Sequence, residues 1–213
     1  RYNAGLVVPV SDGAAYLDGT DDYITFGDVT ALDGLSTISF VFWIMPLHTD
    51  QIPIITKGDY NDAAMAFHMK LASDRLSLSV ANRFDYVNSF GLTMNQWHHV
   101  AVTYSNTADE VKMYLNGVDK GAMSAAGGTF GDIQNTSDAM IIGRNTPSGS
   151  VYGDMNICNV GIWSSILTQA QIKSIMWKNY AGLTSSETTN LVSWWNFSED
   201  ANDSHGSNNG TLS

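Results

Sequence analysis

Strand-period alternation dominates this chain. Ile38, Phe40, Phe42 and Ile44 alternate with Ser39, Val41, Trp43 and Met45. Successive strand side chains point to opposite faces, and here both faces are apolar, so the segment predicts a central strand covered on both sides. Residues 52–57, 65–71 and 76–81 continue the strand signal, with Ser73–Asp74 as the turn between the last two. Asp12–Gly13 and Asp18–Gly19 bracket residues 14–17, and residues 23–26 follow Asp21–Asp22, a pattern that predicts a short hairpin. Residues 97–104 and 111–115 form the clearest pair: Val111, Met113 and Leu115 share one face and Lys112 and Tyr114 the other. Asn116–Gly117 then closes a tight turn whose two central residues need positive φ. Residues 139–143, 157–163 and 191–197 are further strands, and 200–210 is a polar Asn/Gly/Ser loop.

One helix interrupts the pattern. Thr168 and Gln171 form a capping box, Leu167 can staple onto Ile172, and Ile172, Ile175 and Met176 make one apolar stripe. The helix is expected to end near Tyr180–Ala181, with Gly182 as its stop, and to plug an edge of the assembly. Many short strands divided by Gly, Asp and Asn turns predict an all-β fold: a two-sheet antiparallel β-sandwich of the jelly-roll type with one short helix. No repeat or linker divides the chain, so residues 1–213 read as a single domain.

Composition sharpens this picture. Of 213 residues, 44% are apolar and only 15% charged, enough to build a core and too little charge for a disordered tail. The 21 acids comprise 18 Asp and three Glu, a ratio that favours turns over helices. A net charge of −11 argues against nucleic acid, whose binding rests on cationic side chains. The most apolar stretch, 35–47, is too short to span a bilayer and stops at Pro46, so no membrane insertion is expected. Cys158 sits in an apolar run and reads as a small buried hydrophobe. The chain opens on Arg1, which fits processing or excision from a longer protein. Sequons start at Asn135, Asn196, Asn202 and Asn209 and matter only in a glycosylating host.

Four segments together resemble the concanavalin A-like lectin/glucanase superfamily in its laminin-G-like jelly-roll branch. Tyr16-Leu17-Asp18-Gly19-Thr20-Asp21-Asp22-Tyr23-Ile24 is similar to the opening F-D-G-x-D-D-Y-V. Trp97-His98-His99-Val100-Ala101-Val102-Thr103-Tyr104, with Tyr114-Leu115-Asn116-Gly117, resembles W-H-H-V-A-x-T-Y … Y-x-N-G. Val160-Gly161-Ile162-Trp163 and Leu167-Thr168 resemble the family's strand-to-helix step, and residues 191–195 with 203–212 resemble L-V-x-Y-W … D-S-S-G-N-x-N-G-T-L. The last segment usually precedes the first in the family, so the order here reads as a permutation or as a piece of a longer chain. The resemblance also implies a structural calcium ion, for which Asp203 and Asn208 would supply two oxygen ligands. Where relatives carry acids on the step strand, this chain has Cys158 and Asn159.

Glucanase chemistry would need two carboxylates facing each other across a sugar ring. The E-x-D-x-x-E pattern is absent, and Glu110, Glu187 and Glu199 read as turn or loop residues. Neither His98 nor His99 has a Tyr partner two places along the strand, the arrangement that related lyases use, and packing or hydrogen bonding is the expected role of both. No catalytic residue is therefore assigned. Of the tryptophans, Trp43, Trp97 and Trp163 are expected in the core, while the adjacent Trp194 and Trp195 must face opposite ways. Sugar-binding candidates on loops are Tyr60, Arg83, Tyr86, Arg144 and Tyr152, with Asp59 and Asn82 beside them. Two readings stay open. One is a non-catalytic module that binds a glycan or surface polysaccharide, extracellular or on a cell or virion surface. The other is a structural decoration or fibre protein that contacts virion or surface proteins. A polysaccharide hydrolase or lyase is the third and least supported.

Overall fold

The computed structural model describes residues 8–59, 65–80, 83–121, 124–146 and 149–213. In chain order the strands are β1 (Ala15–Asp18), β2 (Ile24–Thr25), β3 (Thr37–Pro46), β4 (Gln51–Lys57), β5 (Phe67–Ala72), β6 (Arg75–Val80), β7 (Arg83–Val87), β8 (His98–Ser105), β9 (Glu110–Leu115), β10 (Val118–Asp119), β11 (Ser124–Gly127), β12 (Met140–Ile142), β13 (Asp154–Trp163), β14 (Leu191–Trp195) and β15 (Thr211–Leu212). The one α-helix among the described residues is α1 (Gln169–Ile175). Every pairing is antiparallel, and the strands form two sheets. One runs β1-β13-β3-β8-β9-β10 with β14 also on β13; the other runs β11-β7-β6-β5-β4-β12-β2-β15. The chain is the all-β antiparallel sandwich that the alternation predicts.

The core lies between the sheets. Ile38, Phe40, Phe42 and Ile44 of β3 enter it with Val100 and Val102 of β8, and meet Phe67, Met69, Leu76 and Leu78 from the other sheet. Phe40 and Phe67 touch edge to face across the gap, 5.1 Å between centroids. The other face of β3 is apolar for a separate reason. Val41, Ala101, Tyr114, Trp163 and Trp194 form a second cluster with Leu167, Ile172 and Ile175, so α1 lies over the outer face of the first sheet. The predicted capping box and staple are present: Gln171 N–H donates to Thr168 Oγ1, and Leu167 packs with Ile172 in this cluster. The helix stops short of the expected end near Tyr180–Ala181, because Met176 caps it and the chain re-forms a separate 3-10 turn at Tyr180–Gly182. It covers a sheet face rather than an edge, which explains both the apolar outer side of β3 and the buried Trp194.

Trp194 and Trp195 do face opposite ways. Trp195 enters the main core against Phe26, 4.5 Å between centroids, and Trp194 lies beneath α1. Each buried indole finds an acceptor: Trp43 at Met176 O, Trp163 at Glu187 O, Trp194 at Asn196 Oδ1 and Trp195 at Asn208 O. Gly161, on β13 between the rings, is required by close approach, since a Cβ there would lie 2.6 Å from Trp194 and 2.7 Å from Trp163.

Asn116 and Gly117 adopt φ of 51° and 74°, joining β9 to β10 by the predicted tight turn. Ser73 (φ 54°) and Asp74 turn β5 into β6. The hairpin expected over 14–26 does not form. β1 pairs with β13 in one sheet and β2 pairs with β12 and β15 in the other. The five residues 18–22 between two strand signals suit a sheet-to-sheet crossing as well as a hairpin, and local pattern does not distinguish them. Glu110 opens β9 rather than sitting in the turn before it. Among the described residues no helix is long and apolar enough to cross a membrane.

Candidate functional site

Three connections converge at one end of the sandwich: the turn after β1, the link from β3 to β4, and the segment that leads into β13. They enclose a cleft of about 520 Å³ whose walls include Asp18, His48, Asp50, Gln51, Tyr152 and Asp154. Asp18 and Asp154 are cross-strand partners in the β1–β13 register. Gly19 turns the chain away at φ 73°, where a Cβ would sit 2.8 Å from the Asp154 Cβ, so Asp18 and Asp154 stay side by side only because residue 19 lacks a side chain. Asp154 Oδ1 is buried with no hydrogen bond among the described residues. On the cleft wall, His48 Nδ1 accepts from the Asp50 N–H at 3.2 Å and lies 3.6 Å from Asp50 Oδ2.

Tyr152 is held by a stack. The Arg144 guanidinium lies 4.9 Å from the Tyr23 ring centroid and 5.5 Å from that of Tyr152, and the two rings are 6.3 Å apart. Arg144 also forms a backbone bridge with Tyr152, and its Nε donates to Gly149 O at 2.8 Å. A ring with its position fixed beside carboxylates and an amide suits recognition of a polyhydroxyl ligand: the ring offers an apolar face, and the acids and Gln51 accept and donate to hydroxyls.

Of the five loop candidates, the structure brings together Arg144 and Tyr152. Arg83 lines a different cleft of about 470 Å³. That cleft holds Glu110, whose partner Ser105 is opposite the start of β3, so it lies at the far end of the strands from Tyr152. Arg83 is committed there: Nε and Nη2 donate to both Asp85 carboxylate oxygens at 2.8 Å, and the guanidinium sits 4.1 Å over Phe130. Tyr86 is on the outer face of the second sheet, with Arg75 5.2 Å above its ring. Tyr60 and Asn82 lie outside the described residues. Sequence reasoning missed Tyr23, His48, Asp50, Gln51 and Asp154 as site residues. Tyr23, Asp18 and Gly19 stood in the quoted D-G-x-D-D-Y motif, but their pairing across to residue 154 is a long-range register that the motif does not carry.

Asp203 and Asn208 do not fit a calcium ion. Asp203 Oδ1 accepts the N–H groups of Trp194, His205 and Gly206, each at 3.0 Å, and Oδ2 accepts that of Asn208 at 3.1 Å. Asn208 in turn donates its side-chain amide to Ser193 Oγ. N–H dipoles therefore point at the oxygens a cation would need, and the loop is a hydrogen-bonded turn wound around one carboxylate. A different acidic group, Asp18, Asp21 and Asp22, places one oxygen from each residue within 4.8 Å of the others. This donor set suits a hard cation by its chemistry, although exposed acids also cluster without one.

Several titratable groups outside the cleft are tied into the structure. Burial pushes the Cys158 thiol up to about 12, so it stays protonated. Burial lowers His99 to about 3, and its ring packs edge-on against Trp43. Burial alone would raise the Glu187 carboxyl, but the Lys178 ammonium at 2.7 Å and the Thr184 N–H hold it near 2. Glu110 pairs with Lys112 at 2.9 Å, and Glu199 borders another hollow beside Tyr16.

The comparisons agree with this architecture. A protein from Bacteroides ovatus, a candidate carbohydrate-binding protein, is similar at a TM-score of 0.64 and 19% identity, over 92% of this chain and 57% of its own. This chain thus spans little more than half the length of that protein. The SAP-like pentraxin of Limulus polyphemus, a heptamer, gives 0.63 and 16% over 92% of both chains. The CBM40 domain of the Ruminococcus gnavus IT-sialidase, solved with α2,3-sialyllactose, gives 0.62 and 13% over 81% of this chain and 100% of that one. No curated protein sequence matches this chain. The family model for the concanavalin A-like lectin/glucanases superfamily matches residues 18–173. A match that begins at the cleft's own Asp18 and ends within α1 takes in most of both sheets, and the chain belongs to that superfamily.

Proposed function

We infer that the chain is a non-catalytic glycan-recognition module and that the cleft bounded by Tyr152 is its binding site. The observation that supports this most is the stack of Tyr23, Arg144 and Tyr152 at the cleft wall, which fixes one aromatic ring beside carboxylates at no further ordering cost. Carbohydrate-binding domains share the fold, and the CBM40 domain binds a glycan on it. Non-catalytic action is supported by the glutamates, of which Glu110 and Glu187 are each paired with a lysine and none lines this cleft, and by Asp18 and Asp154, which are neighbours on adjacent strands rather than opposed across the groove. A module of this kind works outside the cell, on a cell surface or on a virion. The heptameric pentraxin supports a second reading in which the fold serves assembly, as a decoration or fibre protein contacting its neighbours.

A glycan array followed by calorimetric titration tests the first reading. The chain is expected to bind at least one oligosaccharide, and Tyr152→Ala to weaken that binding at least tenfold while shifting the unfolding midpoint little. Full affinity in Tyr152→Ala would remove the cleft from the account.

A further inference from the structure

We propose that the cleft selects uncharged glycans and rejects sugars that carry a carboxylate or sulfate; the specificity rests on the glycan reading just given. Three carboxylates, Asp18, Asp50 and Asp154, share the cleft wall, and Asp21 and Asp22 stand next to Asp18. Among the described residues that line it, none is a lysine or arginine. The one imidazole on the wall, His48, is turned toward an acid, with its Nδ1 3.2 Å from the Asp50 backbone nitrogen and 3.6 Å from Asp50 Oδ2. Arg144 is not among the described residues that line the cleft; its guanidinium is spread between two tyrosine rings and bonded to Gly149 O. Lys70 borders an adjacent hollow of about 120 Å³ with His68, not the cleft itself.

The ligand's side of the interaction follows from these groups. Sugar hydroxyls donate to carboxylate oxygens, and a hydrogen bond to an ionised acceptor is about twice as strong as a neutral one. The carboxylates of Asp18, Asp50 and Asp154 line the cleft as acceptors, which a hydroxyl or acetamido N–H can satisfy and an anionic group cannot. A sialic acid, uronic acid or sulfate would instead place like charge beside three carboxylates; Asp18 and Asp50 are exposed, so the repulsion is strongest at low ionic strength and weakens with salt. The net charge of −11 adds a repulsive field at longer range. The polarity of this cleft therefore opposes the ligand of the CBM40 domain although the fold is shared.

The test uses matched pairs on the intact chain at low ionic strength: lactose against α2,3-sialyllactose, N-acetyllactosamine against its sulfated form, and xylotriose against trigalacturonate. The expected result is binding of at least one neutral member, with its acidic counterpart at least tenfold weaker. Asp50→Asn should narrow that ratio several-fold, while Asp12→Asn, at an exposed acid outside the cleft, should leave it unchanged. An acidic member that binds as tightly as its neutral partner overturns the charge selection and upholds the glycan reading. A ratio that Asp50→Asn does not move overturns its assignment to the cleft. Failure of every pair, neutral and acidic, overturns the glycan reading together with this inference.

Discussion

Replacing Lys57 with methionine is expected to destabilise the fold by about 3–5 kcal/mol, the range found when one partner is removed from a buried ion pair. Lys57 is the last residue of β4, and its side chain is wholly buried. Its ammonium donates to Asp28 Oδ1 at 2.9 Å, Asp33 Oδ1 at 3.1 Å and the Thr136 carbonyl at 2.6 Å, which uses all three of its hydrogens. Methionine matches the volume, so no cavity contributes. The loss comes from two carboxylates and a carbonyl left without their donor, with Asp33 only 11% exposed. Urea unfolding monitored by tryptophan fluorescence reads the difference. Adding Asp33→Asn to the methionine variant should recover part of it by removing the uncompensated charge. A loss under about 1 kcal/mol would mean that the triad is solvated rather than buried.

Acid should unfold the chain through its histidines. Burial lowers His99 to about 3, and burial together with the nearby Lys70 charge lowers His68 to about 4. Both folded values lie below the ordinary 6.5, so the unfolded chain binds more protons than the folded one between those limits. Their contribution is complete above about pH 6.5 and is lost as pH falls toward 4 and then 3, at about 1.4 kcal/mol per pH unit for each ring. The sum over both is comparable to the whole stability of a domain of this size. Unfolding free energies measured from pH 7 to pH 4.5 should fall with a slope that is small at pH 7 and steepens toward two protons or more near pH 5, with His98, also lowered by burial, adding to His68 and His99. In His99→Phe, which keeps a ring against Trp43, the slope near pH 5 should drop by about one proton. An unchanged slope in that variant would show that His99 already holds a proton or a partner in the folded state.

What the sequence made legible was local. Thr168 and Gln171 announce the start of α1 because a capping box is a four-residue event, and Asn116–Gly117 announces its turn because two consecutive residues there need positive φ. The doubly apolar β3 correctly implied cover on both faces. The misreadings share one cause: they concern which distant element meets which. Residues 14–26 carry two strand signals around an acidic turn, yet the strands join opposite sheets, a choice made by β13 and β12 more than a hundred residues later. Lys57 reads as the polar end of a strand, and only Asp28, Asp33 and Thr136 together make it a buried cation. Arg83 and Arg144 look alike as loop cations, and it takes Asp85 beneath the first and two tyrosines around the second to separate a structural residue from one at the candidate site. Asp203 drew the eye as a metal ligand through the resemblance, while the backbone N–H groups that claim it belong to a loop whose conformation the motif does not specify.

The proposed function requires that glycans bind at the end of the sandwich where β1, β4 and β13 come together. Amide chemical-shift mapping with the tightest-binding neutral oligosaccharide tests it most directly. Perturbations are expected at residues 18–23, 48–52 and 150–154, with Arg83 and its cleft silent. Perturbations centred on Arg83, or on the outer face around Tyr86, would contradict it.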